Sequence, residues 1–538
     1  MACSLAAVPA FRAAGSSHTA GVRALTRWGE VRGARLAGIN VFKGIRYGAP
    51  TGGSGRFRPP MHPKPWVHPV DALSYGPACP QSDPSSASAS RFEEGESEDC
   101  LTLNVWTPGL RDKGKRPVMV WLHGGGLGWL SASGEWQAGH NISRRGNVVM
   151  VSPNHRIGVF GFAHIAGLDP AFAGSSQVGM LDLVMALEWV RDNIEEFGGD
   201  PDNVTIMGQS GGGQKVSLLM AMPAAEGLFH KAIIQSGPMP LSLEPPYATA
   251  LTRRLLDKLK LPVADIWKIQ SLSPKEILGA YYPLFHEIGG FGIMGIVQDF
   301  APVVDGASLP QQPFWHGAPP ASAKVPLLIG CTRTEMTEYT LANDPTAFRI
   351  DFSQIEAKLR PIFADDSAQI LAGYRSRHAD ASPWEIYSLI LSDWPTRLFS
   401  LRIADAKARQ GSAPTFVYRM DWKTAARGGV LMSPHAVDIQ FVLDNVDVPQ
   451  VDAGQEEGKE IEARRRMTDQ MSGAWIAFAR TGNPGHALLP QWNAYDAVRR
   501  PTMLFNLESR LADNPDGADI EELSRNLDRY RIVAGGVS

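Results

Sequence analysis

Val204-Thr205-Ile206-Met207-Gly208-Gln209-Ser210-Gly211-Gly212-Gly213 runs from a β-prone apolar stretch into a serine flanked by glycines. Gly208-x-Ser210-x-Gly212 is the sequence form of a nucleophile elbow, a tight strand-to-helix turn that lifts a serine hydroxyl clear of a sheet. Glycine on both sides suits a strained turn with no room for Cβ atoms beside the serine. Taken alone, the pentapeptide is also what a loop with a capping serine looks like. Its surroundings favour the elbow. A strand precedes it, and residues 215–222 read as helical until Pro223 stops them.

Outward from this point the pattern alternates. Strands are predicted at 102–106, 118–122 and 148–152, the second running into His123-Gly124-Gly125-Gly126. Residues 180–194 carry apolar side chains at 180, 184, 187, 190 and 194, a helical period that ends at Gly198-Gly199. Further strands are predicted at 231–236, 325–330 and 415–418, and a last strong helix at 472–479. Strand and helix in alternation imply an α/β fold with a mostly parallel sheet covered on both faces. Residues 240–320 and 340–410 are mainly helical in pattern and read as insertions over that sheet. The whole of 21–535 is expected to form one domain, behind a leader at 1–20.

Composition excludes several classes. The 52 basic and 55 acidic residues give a net charge of −3, so there is no electrostatic footprint for nucleic acid or an anionic membrane. The one dense basic run, Arg464-Arg465-Arg466, follows Glu460 and Glu462 and is explained by i,i+4 pairs on a solvated helix face. No apolar stretch approaches the ~18 residues of a spanning helix. The leader is rich in small apolar residues but lacks a basic region. It fits the tail of an export signal (a secreted or periplasmic protein) and a cytoplasmic leader equally. Oligomeric state is not legible. The cysteines are Cys3, Cys79, Cys100 and Cys331. Cys79 and Cys100 bracket a Ser- and Glu-rich segment, and a bridge between them would be worth roughly 3 kcal/mol. Two free thiols in a reducing compartment are the alternative.

A serine hydroxyl becomes a useful nucleophile when a base takes its proton and a carboxylate orients that base. Behind an elbow of this kind the chain order is Ser, then Asp or Glu, then His. Glu335 follows the strand predicted at 325–330, with Glu338 as a competing carboxylate. Three histidines lie beyond it: His435 on the loop Ser433-Pro434-His435, His378 in a charged helical stretch, and His486 in a Gly/Pro turn. The glycines after His123 offer backbone N–H groups to an oxyanion, and Gly211 adds another at the start of a helix. The histidines are scattered and no cysteine has a ligand partner at suitable spacing, so no metal is expected. No dinucleotide fingerprint is present, and no cofactor is expected.

Other blocks recur in order around these parts. They are Phe42-Lys43-Gly44-Ile45-Arg46-Tyr47, Glu98 to Trp106, Asn193-Ile194, Phe197 to Pro201, and Trp475 to Pro484. With them the chain resembles the type-B carboxylesterases, the cholinesterase-like branch of the α/β-hydrolase fold, from about Gly29 to Phe505. The resemblance implies a serine esterase of small-molecule esters that works through an acyl-enzyme. It implies Ser210 as nucleophile, Glu335 as acid and His435 as base, with Gly125, Gly126 and Gly211 as oxyanion donors. It also implies a hydrogen bond near the triad from Ser236 and a Cys79–Cys100 bridge.

The departures bear on substrate. Gln209 stands where cholinesterases carry a glutamate, and the segment between Cys79 and Cys100 has no tryptophan, so the partners of a quaternary ammonium are missing. Gly211-Gly212-Gly213 replaces an alanine-containing version and is expected to leave space for bulkier acyl groups. Neutral, fairly hydrophobic esters are therefore expected, with Leu127, Trp129, Gln209, Phe285 and Phe291 as candidate pocket residues. An amide or carbamate hydrolase would use the same triad. A non-catalytic binding module would be expected to have lost the serine or the histidine.

Overall fold

A computed structural model of the chain describes residues 19–85, 92, 94–289, 299–448, 459–525 and 527. Its frame is one 13-stranded sheet. In chain order the strands are β1 (Thr19–Thr26), β2 (Gly29–Leu36), β3 (Ile39–Arg46), β4 (Val70–Asp71), β5 (Thr102–Thr107), β6 (Arg116–Leu122) and β7 (Val149–Pro153). They continue with β8 (Gly199–Gln209), β9 (Lys231–Gln235), β10 (Leu327–Thr332), β11 (Thr415–Met420), β12 (Pro501–Phe505) and β13 (Arg510–Asp513). Their order across the sheet is β1-β2-β3-β5-β7-β6-β8-β9-β10-β11-β12-β13, with β4 beside β2. From β7 to β12 every pair is parallel; the strands outside that block, β4 excepted, pair antiparallel. This is the α/β-hydrolase architecture. No described helix is long and apolar enough to cross a membrane.

The period of two in the central strands divides their side chains between two cores. Val118, Val120, Leu122, Val204, Ile206, Ala232, Ile234, Leu327 and Ile329 face one, packed by the helices Val178–Asn193 and Gly211–Leu219 and the helical insertions. Met119, Trp121, Met207, Ile233 and Leu328 face the other, against Met467, Met471, Trp475 and Phe478 of the long helix Lys459–Thr481. Strands covered on both faces need no polar side, which is why Val118-Met119-Val120-Trp121-Leu122 is a continuous apolar run.

The predicted central strands and the helix before the elbow are found within a few residues of their expected bounds. The helix after the elbow begins at Gly211 rather than Lys215, because close packing rather than propensity selects its first residues. The helix expected at 472–479 is part of Lys459–Thr481, and Gly517–Ser524 follows it. Arg464 does not lie on a solvated face: it is buried and donates to the Val446 carbonyl at 2.7 Å.

The Cys79–Cys100 bridge is not formed: both are free, buried thiols. Cys100 shares a hydrogen bond with Cys79, and that contact with burial pushes its pKa well above 9. The pair is held by that hydrogen bond and by packing rather than by a covalent link. The segment between them is tied down by charge instead. Arg56 binds both Glu98 oxygens at 2.6 Å, Arg46 pairs with Asp99, and Glu96 accepts from the backbone of Gln81 at 3.0 Å and of Ser82 at 3.1 Å.

Candidate active site

The parallel strands deliver their following loops to one edge of the sheet, the carboxyl edge where α/β folds place their sites. Residues 123–126 leave β6 there, Ser210 leaves β8, and Glu335 follows the end of β10. Ser210 sits at φ +58°, ψ −126°, a strained conformation for a residue with a side chain. A Cβ on Gly208 would come within 2.5 Å of the Gly212 carbonyl carbon, and one on Gly212 within 2.0 Å of Leu122 O. Both glycines of the elbow are therefore required by contact.

Glu335 is fully enclosed, and its two oxygens have separate tasks. Oε1 accepts from the Thr332 backbone at 2.6 Å, while Oε2 accepts from His435 Nδ1. With Nδ1 carrying the proton, His435 Nε2 is an acceptor, and it takes the Gln209 side-chain amide at 3.2 Å. Gln209 adjoins Ser210 in the chain, so this contact sets the imidazole beside the elbow. The Tyr339 ring lies 5.4 Å from the imidazole, centroid to centroid. Burial pulls the His435 pKa down, but the charge and hydrogen bond of Glu335, with Asp438 and Glu338 behind, raise it above 6.5 overall.

The competing residues lie elsewhere in the hydrogen-bond pattern. His378 pairs with Asp519 at 2.7 Å, and His486 meets the Gln470 carbonyl at 2.9 Å. Glu338 acts on His435 through its charge, the last of the contributions that raise the imidazole pKa. Ser236 is buried but its hydroxyl has no hydrogen-bond partner among the described residues. Asp438, which the sequence reading missed, is a bonded polar group close to Glu335 and His435. Its Oδ2 accepts from Gln235 Nε2 at 2.9 Å and from the Tyr418 hydroxyl at 3.2 Å. Burial, reinforced by the charge of Glu335, raises its pKa to about 6. A lone acid in the apolar run Ala436-Val437-Asp438-Ile439 was the available signal, since a charge in such a run has to be buried and bonded.

The glycine loop is aimed by its carbonyls. In a planar trans peptide the C=O and the next N–H point in opposite directions. The Gly124 carbonyl is held by His123 Nδ1 at 2.9 Å and the Gly125 carbonyl by Trp129 N at 3.0 Å. The N–H groups of Gly125 and Gly126 are thereby turned the other way, and neither has an acceptor among the described residues. Gly211 adds the first N–H of its helix. A Cβ there would fall 1.9 Å from Gly126 O, so this glycine is filled by the loop and does not open space for acyl groups, contrary to expectation. Gly211→Ala is accordingly expected to push the loop away and lower kcat about 10²-fold, with the fold retained. Steady-state kinetics beside a melting curve check this, and wild-type kcat in the folded variant would contradict it.

Of the pocket residues, Trp129 packs on Phe285 at 5.2 Å between ring centroids, and Phe285 is flanked by Tyr281 at 5.7 Å. Leu127 is half-buried beside the glycine loop, its carbonyl accepting from Gly158 N at 2.7 Å. Phe291 lies outside the described residues. No cluster of metal-ligating side chains occurs among the described residues.

Comparison with known proteins agrees with this geometry. The model of the carboxylesterase family matches residues 21–522. The para-nitrobenzyl esterase of Bacillus subtilis is 32% identical over 508 residues, 93% of this chain and 97% of the relative. The phenmedipham hydrolase of Pseudarthrobacter oxydans is 34% identical over 485 residues, 88% and 92% of the two chains. Among solved structures, carboxylesterase EST55 of Geobacillus stearothermophilus superposes with a TM-score of 0.80 at 34% identity, covering 93% of this chain and 99% of that one.

Proposed function

The chain belongs to the carboxylesterase family, and we propose that it hydrolyses neutral, fairly hydrophobic carboxylic esters with Ser210, His435 and Glu335 as its triad. Ester cleavage through an acyl-enzyme is the chemistry of the protein. The observation that carries the residue assignment is the chain of contacts from Glu335 through His435 to the residue beside Ser210.

In this reading Ser210 attacks the ester carbonyl and His435 Nε2 takes its proton. The Ser210 hydroxyl has to share or replace the amide of Gln209 at that nitrogen. The imidazolium is stabilised by Glu335 and then protonates the leaving alcohol. Developing negative charge on the carbonyl oxygen is met by the N–H groups of Gly125, Gly126 and Gly211. Water repeats the sequence on the acyl-enzyme.

Neutral substrates are favoured by what surrounds the serine. Gln209 brings no charge, and the half-buried Leu127 and Trp129 just after the glycine loop are apolar. The test compares kcat/KM for a choline ester with that for the uncharged 3,3-dimethylbutyl ester of the same acid. Parity or a preference for the neutral ester is expected. A tenfold preference for the choline ester would overturn the proposal, because a cation–π contact worth about 0.5–2 kcal/mol would then have to exist.

The pH dependence follows from His435. The base must be neutral to accept a proton, and its pKa is raised above 6.5, so activity falls as pH drops through that raised value. Gln209→Glu would set a carboxylate against Nε2 and favour the charged imidazolium. The acid limb of the kcat/KM profile is expected to move to higher pH by about one unit or more. An unmoved limb would mean that Gln209 does not touch the base.

A further inference from the structure

The helix that starts beside Ser210 carries a lysine that the catalytic cycle above does not use. Lys215 is wholly enclosed, and no carboxylate pairs with it among the described residues. Its Nζ donates to the carbonyl oxygen of His123 at 2.9 Å. An ammonium buried without a counter-charge is costly to the fold, and burial brings its pKa down to about 7.

The acceptor gives the lysine a purpose. His123 is the residue from which the glycine loop departs, and its ring stacks on His155 at 4.6 Å between centroids. Burial, with the charge of Lys215 adding to it, holds both imidazoles well below 6.5, so His123 is neutral. Its Nδ1–H is then available to the Gly124 carbonyl at 2.9 Å. Two successive carbonyls, those of His123 and Gly124, are thus pinned by buried donors, and Trp129 N pins the third at Gly125. Because each planar peptide turns its N–H opposite to its carbonyl, the held Gly124 and Gly125 carbonyls direct the N–H groups of Gly125 and Gly126. Lys215 fixes the plane just before them, whose N–H is that of Gly124 and from which the loop departs.

We propose that Lys215 is a positioning residue of the oxyanion loop, holding the His123 carbonyl so that the N–H groups of Gly125 and Gly126 converge on the substrate oxyanion. The proposal rests on the assignment of those two N–H groups as oxyanion donors. A lysine in this role acts on the transition state and little on the bound ester, since the ester carbonyl carries no full charge.

The test uses Lys215→Met, which keeps the stem and removes the donor, and two inhibitors: an aryl trifluoromethyl ketone and its methyl ketone counterpart. The first adds to the serine and places an oxyanion in the hole; the second binds without adding. Wild-type enzyme should prefer the trifluoromethyl ketone strongly. If it does not, the oxyanion assignment fails and the proposal fails with it. If it does, Lys215→Met is expected to lose about 10- to 100-fold in kcat, with KM within about threefold. Its affinity for the trifluoromethyl ketone should drop by a similar factor while that for the methyl ketone holds.

Melting temperature separates positioning from simple support. The folded-state pKa of Lys215 lies below its unfolded value, so the unfolded chain holds the proton more tightly and the group destabilises the fold below the unfolded pKa of 10.5. Loss of the buried charge and loss of its hydrogen bond to the His123 carbonyl act in opposite directions, so the melting temperature of Lys215→Met at neutral pH should stay within a few degrees of wild type. A folded Lys215→Met protein with wild-type kcat and wild-type trifluoromethyl ketone affinity overturns the proposal. Lys215→Leu, which also lacks a donor, is measured and judged in the same way should the methionine variant not fold.

Discussion

Replacing Ser210 with alanine is expected to lower kcat about 10⁴-fold or more while leaving the protein folded. Ser210 is half-buried, and its side chain differs from alanine by one oxygen. The strain at φ +58° is the same for either residue, and the glycine contacts at 208 and 212 that maintain it are untouched. Stability should shift by well under the ~1 kcal/mol typical of a point substitution. What disappears is the atom that forms the acyl bond in the proposed mechanism. The residual rate should reflect binding and the oxyanion donors alone, which in triad enzymes stay about 10³–10⁴-fold above water. The assay is turnover of an activated ester by purified protein beside its melting curve. Turnover near the wild-type rate would end the assignment.

The second large effect is expected at Glu335, and it arises from hydrogen-bond direction. Thr332 N–H donates to one carboxylate oxygen at 2.6 Å and His435 Nδ1–H to the other. In Glu335→Gln the amide carbonyl must stay on the Thr332 N–H, because that donor is fully buried. The amide NH2 then faces Nδ1, which can only accept, and the ring proton moves to Nε2. That is the tautomer that cannot take the proton of Ser210. A loss of about 10⁴-fold in kcat is expected, the scale seen when a triad acid is made neutral in place. Glu338→Gln, which removes a charge that acts on His435 more weakly than Glu335 does, should change kcat less than about threefold. Sensitivity at Glu338 with tolerance at Glu335 would reassign the acid.

Much of this site was legible before any coordinates because its chemistry sits on local signals. An elbow needs glycines two residues either side of the serine, and the central strands are apolar runs because both faces are covered. What the chain could not announce depends on long-range contact. Lys215 looks like an ordinary helical lysine until β6 brings the His123 carbonyl to it. Gly211 reads as a roomy position, yet the carbonyl of Gly126 fills it. Among the three histidines after Glu335, spacing alone left the choice open; Asp519 and the Gln470 carbonyl occupy the other two. β1 and β2 were missed because their alternation is weak: Leu25 and Leu36 are exposed on the sheet margin. The family resemblance implied a Cys79–Cys100 bridge, yet in the fold the two are buried, hydrogen-bonded free thiols.

The most direct measurement of the central claim is rapid-quench intact mass spectrometry during turnover of a p-nitrophenyl ester. The enzyme should gain the mass of one acyl group within the burst, and proteolytic mapping should place it on Ser210. The Ser210→Ala protein should gain none. No adduct during turnover, or one that maps to another residue and persists in Ser210→Ala, would contradict the account.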